Sequence, residues 1–185
     1  MTNSTTQFSI DREGWCDQAR KVPSPHHNAR LSPDDVSLLV IHGISLPPGE
    51  FGGPWIDDLF LGRLDPHAHP YFAGIHQLRV SAHCLIRRDG QLVQYVPFGA
   101  RAWHAGVSSW QGREACNDFS IGIELEGTDE TPYTEAQYRA LAGLTRAISE
   151  RYPAITHEKI VGHCDIAPGR KTDPGASFQW RSEEH

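Results

Sequence analysis

The apolar positions of the chain fall into short runs separated by polar loops. Residues 37–41 (SLLVI) form a continuous apolar run, typical of a buried strand, and we expect that strand to stop at His42. Residues 120–126 (SIGIELE) alternate apolar with small or polar side chains and predict a second strand. Residues 159–162 predict a short strand that leads into His163. Two of these three strands are therefore followed by a histidine.

A hairpin is indicated between the first two of these strands. Residues 81–87 and 91–96 are both rich in apolar side chains, and the connection between them contains Asp89-Gly90. An Asp-Gly pair between two apolar segments is a strong hairpin signal, because both residues tolerate the positive φ angles of a tight turn.

One segment has the period of an amphipathic helix, residues 134–151. Thr134 can cap its first turn, and Gln137, three residues later, completes a capping box. The apolar stripe of this helix consists of Leu141, Leu144 and Ile148. Pro153 marks its end.

Loops account for most of the remaining chain. Residues 1–35 are expected to be irregular, residues 43–76 to be loop-rich with one short helix at 55–61, and the tail from residue 167 to be loop. The predicted fold class is therefore α/β: a mixed central β-sheet with flanking helices and long loops at the active-site edge.

Size and charge limit the number of domains and the kinds of partner that we expect. The 185 residues fit one domain, 1–185, with residues 1–14 and 181–185 expected to be peripheral. The formal net charge of −6 argues against a nucleic-acid partner, since phosphate binding needs a basic surface. The first residues lack a basic and apolar leader, and no apolar run approaches roughly 18 residues, so we expect no membrane partner and a cytoplasmic location.

The histidines indicate a metal site. The chain has 11 of them, and His42 and His163 follow predicted strands, where a sheet presents side chains to a cleft. With the carboxylate of Asp173 they would give a three-ligand zinc site with one position open for water, the arrangement of catalytic zinc. Spacing alone leaves other histidine combinations open, and a lone histidine at a strand end is more often structural.

A family resemblance carries more weight than the spacing. Six stretches carry it: residues 22–26 (VPSPH), 42–55 (HGISLPPGEFGGPW), 80–83 (VSAH), 101–106 (RAWHAG), 117–127 (NDFSIGIELEG) and 162–175 (GHCDIAPGRKTDPG). In sequence and in order they resemble the cytoplasmic 1,6-anhydro-N-acetylmuramyl-L-alanine amidases, within the wider group of zinc N-acetylmuramoyl-L-alanine amidases and peptidoglycan recognition proteins. The resemblance extends from about residue 15 to 180.

The resemblance implies a set of site residues. One zinc ion per chain would be held by His42, His163 and Asp173, with Glu124 as the catalytic carboxylate and Lys171 as the active-site lysine. Without the resemblance, a surface ion pair would be the commoner role for the last two residues.

The strand pattern itself leaves one choice open. Glu124 and Glu126 share a face of the alternating segment, so pattern cannot choose between them, and only the resemblance selects Glu124.

Four further residues are candidates for substrate binding. Trp103 and His104 could line the groove and pack against a sugar, although Trp103 could equally be a core residue. Arg79 and Arg170 could bind stem-peptide carboxylates through their guanidinium groups, or simply form surface ion pairs. Gly43 stands where the family often has asparagine, so any side-chain contact from that position is absent.

The implied activity is hydrolysis of the amide bond between (1,6-anhydro)-N-acetylmuramic acid and L-alanine. The resemblance further implies an anhydro-muropeptide as the substrate, a role in cell-wall recycling and control of β-lactamase induction, and a monomer. Two alternatives are a wall-degrading lysin and a non-catalytic peptidoglycan receptor. Receptors of this group typically lose a zinc ligand, whereas all the candidate ligands are present here.

Overall fold

A computed structural model describes residues 6–180, which contain ten strands and three helices. The strands are β1 (Arg20–Lys21), β2 (His27–Ala29), β3 (Leu38–Ile44), β4 (Cys84–Ile86), β5 (Leu92–Gln94), β6 (Ala100–Ala102), β7 (Ser109–Trp110), β8 (Arg113–Glu114), β9 (Ser120–Glu126) and β10 (Ile160–Gly162). The helices are α1 (Trp55–Phe60), α2 (Glu135–Arg151) and α3 (His163–Ile166), and single 3-10 turns cover Pro70–Gly74, Cys116–Asp118 and His157–Lys159.

A six-stranded mixed sheet with the order β1-β5-β4-β9-β3-β10 is the centre of the fold. Strands β4, β9, β3 and β10 run parallel to one another, and the β4–β5 hairpin is antiparallel. The register of β3 on β9 sets His42 opposite Glu124. The predicted mixed sheet is therefore confirmed, and its pairing already brings two of the candidate site residues together.

Helix α2 covers one face of the sheet and follows its sequence signals closely. Thr134 Oγ1 accepts a hydrogen bond from Gln137 N–H (3.1 Å), and Gln137 Oε1 accepts one from Thr134 N–H (3.0 Å), so the predicted capping box is confirmed. The residues of its stripe are buried in one core cluster with Ile121 and Ile123 of β9.

The other face is covered by the segment that follows β3. Here Ile56, Phe60 and Phe72 are buried against Leu85 and Tyr95 of the hairpin in a second core cluster. The segment 43–76 contains the predicted short helix and is fixed in place by apolar packing. Residues of this segment before the helix, such as Leu46, and after it, such as Tyr71, line the candidate site.

Several predicted boundaries were wrong. Strand β3 does not stop at residue 41 but continues through His42 to Ile44, because β9 continues to pair with it as far as Glu126. The strand predicted at residues 159–162 begins at Ile160, and His163, which follows it as expected, is the first residue of α3. Five strands were not predicted, since they have two or three residues, several of them polar and exposed: β1, β2, β6, β7 and β8.

The expectation that residues 1–14 are peripheral stays a prediction, and the structure describes part of that segment. Phe8 and Ile10 are partly buried and pack against the first core cluster, and Ile10 forms a bridge with Cys16. Residues 1–5 and 181–185 lie outside the described residues. Within the described range, no helix has the length and apolarity needed to cross a membrane.

Candidate metal centre and active site

The structure brings His42, His163 and Asp173 together at one edge of the sheet. His42 projects from β3, His163 starts α3 beside it, and Asp173 lies in the loop that returns after α3. The Nδ1 atoms of the two histidines are 3.0 Å apart, and Asp173 Oδ2 is 3.6 Å from His42 Nδ1 and 3.3 Å from His163 Nδ1. One donor atom from each side chain lies within 4.8 Å of the others. These residues form the candidate metal centre.

Two hydrogen bonds hold the Asp173 loop against α3 and β3. Cys164 N–H donates to Asp173 O (2.9 Å), and Gly43 N–H donates to Asp173 Oδ2 (3.1 Å). A Cβ atom on Gly43 would lie 2.5 Å from the hydroxyl of Tyr133, which itself donates to Pro174 O (2.8 Å). Tyr133 therefore fills the space beside Gly43, and a larger residue there would displace the support of the Asp173 loop.

The charges of His42 and Asp173 suit metal binding. His42 is almost fully buried, and burial lowers its pKa to about 4, so its imidazole is neutral at pH 7. Burial would raise the pKa of Asp173, but its interactions with His163 and His42 outweigh this and lower the pKa below its usual range. Neutral imidazoles and an ionised carboxylate are the forms that coordinate a metal ion.

Glu124 faces this cluster from the adjacent strand. Its Oε2 lies 3.8 Å from His42 Nδ1, while its Oε1 is buried and has no hydrogen-bond partner among the described residues. Burial, together with the negative charge of Asp173, raises the pKa of Glu124 well above its usual value, and the charge of Lys171 acts in the opposite direction. A buried carboxylate with a raised pKa accepts a proton more readily, so it is suited to exchanging a proton with a bound reactant.

The surroundings of Glu126 differ from those of Glu124. Its carboxylate accepts hydrogen bonds from Gly52 N–H (2.7 Å) and Arg88 N–H (3.1 Å) and pairs with Arg87 Nη1 (3.2 Å). Glu126 thus fastens the 47–54 loop to the β4–β5 turn. Of the two glutamates that the alternation leaves open, only Glu124 faces the metal centre.

The metal centre opens into a cavity of about 760 Å³. Lys171 is exposed at its wall, and its positive charge acts on both His42 and Glu124. The residues predicted to bind substrate also line this cavity: Arg79, Trp103, His104 and Arg170. The structure therefore assembles all nine sequence-predicted site residues around one opening.

The four residues predicted to bind substrate differ in exposure and in the hydrogen bonds that they already make within the protein. Arg79 is exposed. Trp103 is half-buried, and its indole Nε1–H donates to Asn28 Oδ1 (3.1 Å). Arg170 donates from Nη2 to the carbonyls of Ala105 (2.7 Å) and Val107 (2.8 Å), which braces the 105–107 loop. A substrate carboxylate would have to share that guanidinium with these two carbonyls.

His104 is more enclosed than the sequence suggests. Its Nδ1 lies 2.9 Å from His42 Nε2, and its Nε2 lies 3.0 Å from Ser120 Oγ, so both ring nitrogens are engaged inside the protein. Ser120 was not among the predicted site residues. Its only signal in the sequence is that it shares the alternating face of Glu124.

Comparisons with known proteins agree with this geometry. A family model described as N-acetylmuramoyl-L-alanine amidase matches residues 32–176. The chain is 70% identical over 168 residues to the 1,6-anhydro-N-acetylmuramyl-L-alanine amidase AmpD of Citrobacter freundii, covering 91% of this chain and 89% of that protein. A crystal structure of a selenomethionine derivative of AmpD matches with a TM-score of 0.91 at 69% identity, covering 94% of this chain and 96% of the other.

A more distant structure contains a bound substrate. The N-acetylmuramyl-L-alanine amidase AmiD of Escherichia coli, in complex with anhydro-N-acetylmuramic acid-L-Ala-D-gamma-Glu-L-Lys, matches with a TM-score of 0.58 at 32% identity. The match covers 92% of this chain and 62% of AmiD. The fold of the present chain is thus shared with amidases that are named for the N-acetylmuramyl-L-alanine bond.

Proposed function

This chain belongs to the N-acetylmuramoyl-L-alanine amidase family, and we propose that it is a zinc enzyme that releases stem peptides from 1,6-anhydro-N-acetylmuramic acid. The observation that carries this proposal is the convergence of His42, His163 and Asp173 beneath a cavity that Glu124 and Lys171 also line. The bond hydrolysed is the amide between the lactyl carbonyl of the sugar and the nitrogen of L-alanine.

The donor set fits zinc. Two imidazole nitrogens and one carboxylate are the ligands of many catalytic zinc sites, which keep a further position for water or substrate. Zinc–ligand bonds of about 2.0 Å place tetrahedral ligand atoms about 3.3 Å apart. The separations of 3.0 Å and 3.3 Å from His163 Nδ1 to His42 Nδ1 and Asp173 Oδ2 are close to that spacing. When bound, zinc polarises the scissile carbonyl and lowers the pKa of its water ligand to about 7.

Glu124 is the proton carrier of the reaction. Its unpartnered oxygen accepts the proton of the attacking water, and the protonated carboxyl then donates that proton to the departing alanine nitrogen. The burial that raises the pKa of Glu124 supports this role, because it makes the carboxylate a stronger proton acceptor. Lys171 supplies a fixed positive charge at the cavity wall, where negative charge develops on the carbonyl oxygen.

The cavity supports a substrate with a sugar and a charged peptide. Trp103 offers an aromatic surface to the anhydro-sugar, and His104, the next residue, also lines the cavity. Arg79 is exposed and can pair with a stem-peptide carboxylate, and Arg170 can do so from the loop that follows α3. The substrate printed for the AmiD complex combines the same two chemical parts.

The cellular setting follows from the proposed substrate. We propose a single amidase domain that acts as a cytoplasmic monomer in peptidoglycan recycling and so limits the muropeptides that induce β-lactamase. The resemblance to cytoplasmic amidases supports the location, and the net charge of −6 agrees with a partner other than nucleic acid.

The test is a mass-spectrometric assay with anhydro-N-acetylmuramyl-tripeptide. We expect release of free tripeptide, loss of that release with a zinc chelator, and recovery when zinc is added back. A parallel assay with the reducing N-acetylmuramyl-tripeptide measures dependence on the anhydro ring. Zinc-loaded protein that releases no tripeptide from either substrate would refute the proposal and favour a wall lysin or a receptor.

A further inference from the structure

A row of hydrogen-bonding groups extends from the metal centre into the protein. His42 Nε2, on the side of the ring away from Asp173, lies 2.9 Å from His104 Nδ1. His104 Nε2 lies 3.0 Å from Ser120 Oγ. The two rings are nearly perpendicular, with an interplanar angle of 84°, so each approaches the other edge-on. None of these contacts is used by the catalytic steps described above.

Metal binding by His42 decides which atom donates in each hydrogen bond of this row. The Nδ1 atom of His42 faces His163 and Asp173, so it must offer its lone pair to the metal, and the ring proton is then on Nε2. That proton is donated to His104 Nδ1. His104 therefore carries its own proton on Nε2 and donates it to Ser120 Oγ.

We propose that His104 and Ser120 are positioning residues that fix the tautomer and the ring orientation of His42 for zinc. This inference rests on the proposed function, since it assumes that zinc binds at Nδ1 of His42. Partners of this kind behind a metal-ligating histidine orient the ring and raise its affinity for the metal. Here the partner is a second histidine.

The strand β9 is shaped to hold the His104 ring. A Cβ atom on Gly122 would lie 2.5 Å from His104 Cγ, so only glycine leaves room for the ring against the strand. Ser120, Gly122 and Glu124 are every second residue of β9 and therefore lie on one face of the strand. The same strand face thus provides the end of the row, the space for its ring and the proposed proton carrier.

The backbone around the row is also held in place. Asn117 Oδ1 accepts hydrogen bonds from the N–H groups of His104 (3.0 Å) and Ala105 (2.9 Å). The buried Arg30 donates from Nη2 to the carbonyl of Ser120 (2.9 Å). The backbones of His104 and Ser120 are therefore anchored independently of any metal, so these two residues can orient His42 before zinc arrives.

The test is the zinc affinity of variants, measured by competition with a chelator of known affinity. His104→Phe keeps a ring but removes both nitrogens, and we expect it to weaken zinc binding about 10- to 100-fold. His104→Asn keeps an acceptor near the position of Nδ1, and we expect it to recover most of that affinity. Ser120→Ala removes the last acceptor and should shift affinity in the same direction as His104→Phe.

A matched control is Ser108→Ala. Ser108 is also a buried serine, but its hydroxyl bonds to Gly106 O and Cys116 N–H and is not part of the row. We expect its zinc affinity to equal that of the wild type. Urea unfolding of each zinc-free variant checks that the fold is retained. If His104→Phe fails to fold, Ser120→Ala and His104→Asn carry the test.

A spectroscopic measurement shows directly which ring nitrogen carries the proton in His42 and His104. In long-range 1H–15N spectra of the zinc-loaded protein, we expect the ring protons of His42 and His104 on Nε2. Wild-type zinc affinity in both His104→Phe and Ser120→Ala, or a His104 proton on Nδ1, would overturn the positioning role while leaving the proposed function intact. A wild-type protein that binds no zinc would overturn the proposed function, and the row with it.

Discussion

Glu124 and Glu126 show how position within a fold decides what a residue does. The two side chains share a strand face and are both buried, but Glu126 has two amide donors and an arginine as partners. Glu124 has an oxygen with no hydrogen-bond partner within residues 6–180 and faces the metal centre. A carboxylate without partners in a cavity is available for a reactant, whereas a fully bonded one stabilises the fold.

Lys171 allows the proposed electrostatic stabilisation to be tested at a single residue. Lys171→Met removes the charge and keeps much of the side-chain volume. We expect kcat to fall about 10²- to 10³-fold, as when an oxyanion donor is removed, with zinc content unchanged. Lys171→Arg keeps the charge and should recover part of the rate. Equal kcat for Lys171→Met and the wild type would remove Lys171 from the reaction.

His83 makes stability depend on pH. Burial, and next the charge of Arg30, lowers its pKa to about 3, and its Nδ1 accepts a hydrogen bond from Gly122 N–H. In the unfolded chain this histidine takes up a proton below its ordinary pKa of 6.5, while the folded form stays neutral. The unfolded state then binds more protons, so stability falls as pH decreases from about 6.5 towards 3.

The measurement is the free energy of unfolding in urea at pH 7 and pH 5. Between pH 7 and pH 5, the titration of His83 should lower the free energy of unfolding of the wild type by about 2 kcal/mol. The variant His83→Gln cannot titrate, so we expect its loss on acidification to be smaller by that amount. An identical loss in both proteins would show that His83 is not held neutral by the fold.

At the scale of elements, local signals were sufficient for α2 and β9 but not for the site. The cap, the stripe and the alternation all lie within one segment, so those elements could be predicted from sequence. The extension of β3 through His42 depends on pairing with β9, some 80 residues away, and no local pattern encodes it. The contact of His104 with Ser120 is likewise tertiary, so the sequence left His104 as a groove residue.

The capping box of α2 gives a prediction at this scale. Thr134→Ala removes the acceptor of Gln137 N–H, and we expect a loss of about 1 kcal/mol of stability in urea unfolding. Thr156→Ala is the matched control, because Thr156 precedes a 3-10 turn without a side-chain cap hydrogen bond. Equal effects of the two substitutions would show that the capping contact contributes nothing specific.

At the scale of the whole molecule, the site is assembled from distant parts of the chain. His42, Glu124 and the His163–Asp173 segment come from different strands and loops, and the parallel order β9-β3-β10 places them side by side. Sequence pattern predicted the layers of the fold, but the ligand set came from family resemblance, because eleven histidines allow many combinations. The packed segment 43–76 then closes one side of the cavity.

Phe72 tests whether that segment is an integral part of the molecule. It is fully buried in the second core cluster, next in sequence to Tyr71, which lines the cavity. We expect Phe72→Ala to destabilise the protein by about 3–5 kcal/mol in urea unfolding. Leu31→Ala, at a position that is 85% exposed, should stay within about 0.5 kcal/mol of the wild type. A small effect of Phe72→Ala would mean that the segment detaches readily.

The central claim is that a metal centre and a separate proton carrier act together on one amide bond. The most direct measurement is tripeptide release by Glu124→Gln at full zinc occupancy, with zinc content determined on the same sample. We expect zinc content to match the wild type and release to fall about 10²- to 10⁴-fold, because only the proton carrier is lost. Near-normal release from fully loaded Glu124→Gln would contradict the account, since the reaction would then proceed without the carboxylate that the fold directs at its metal centre.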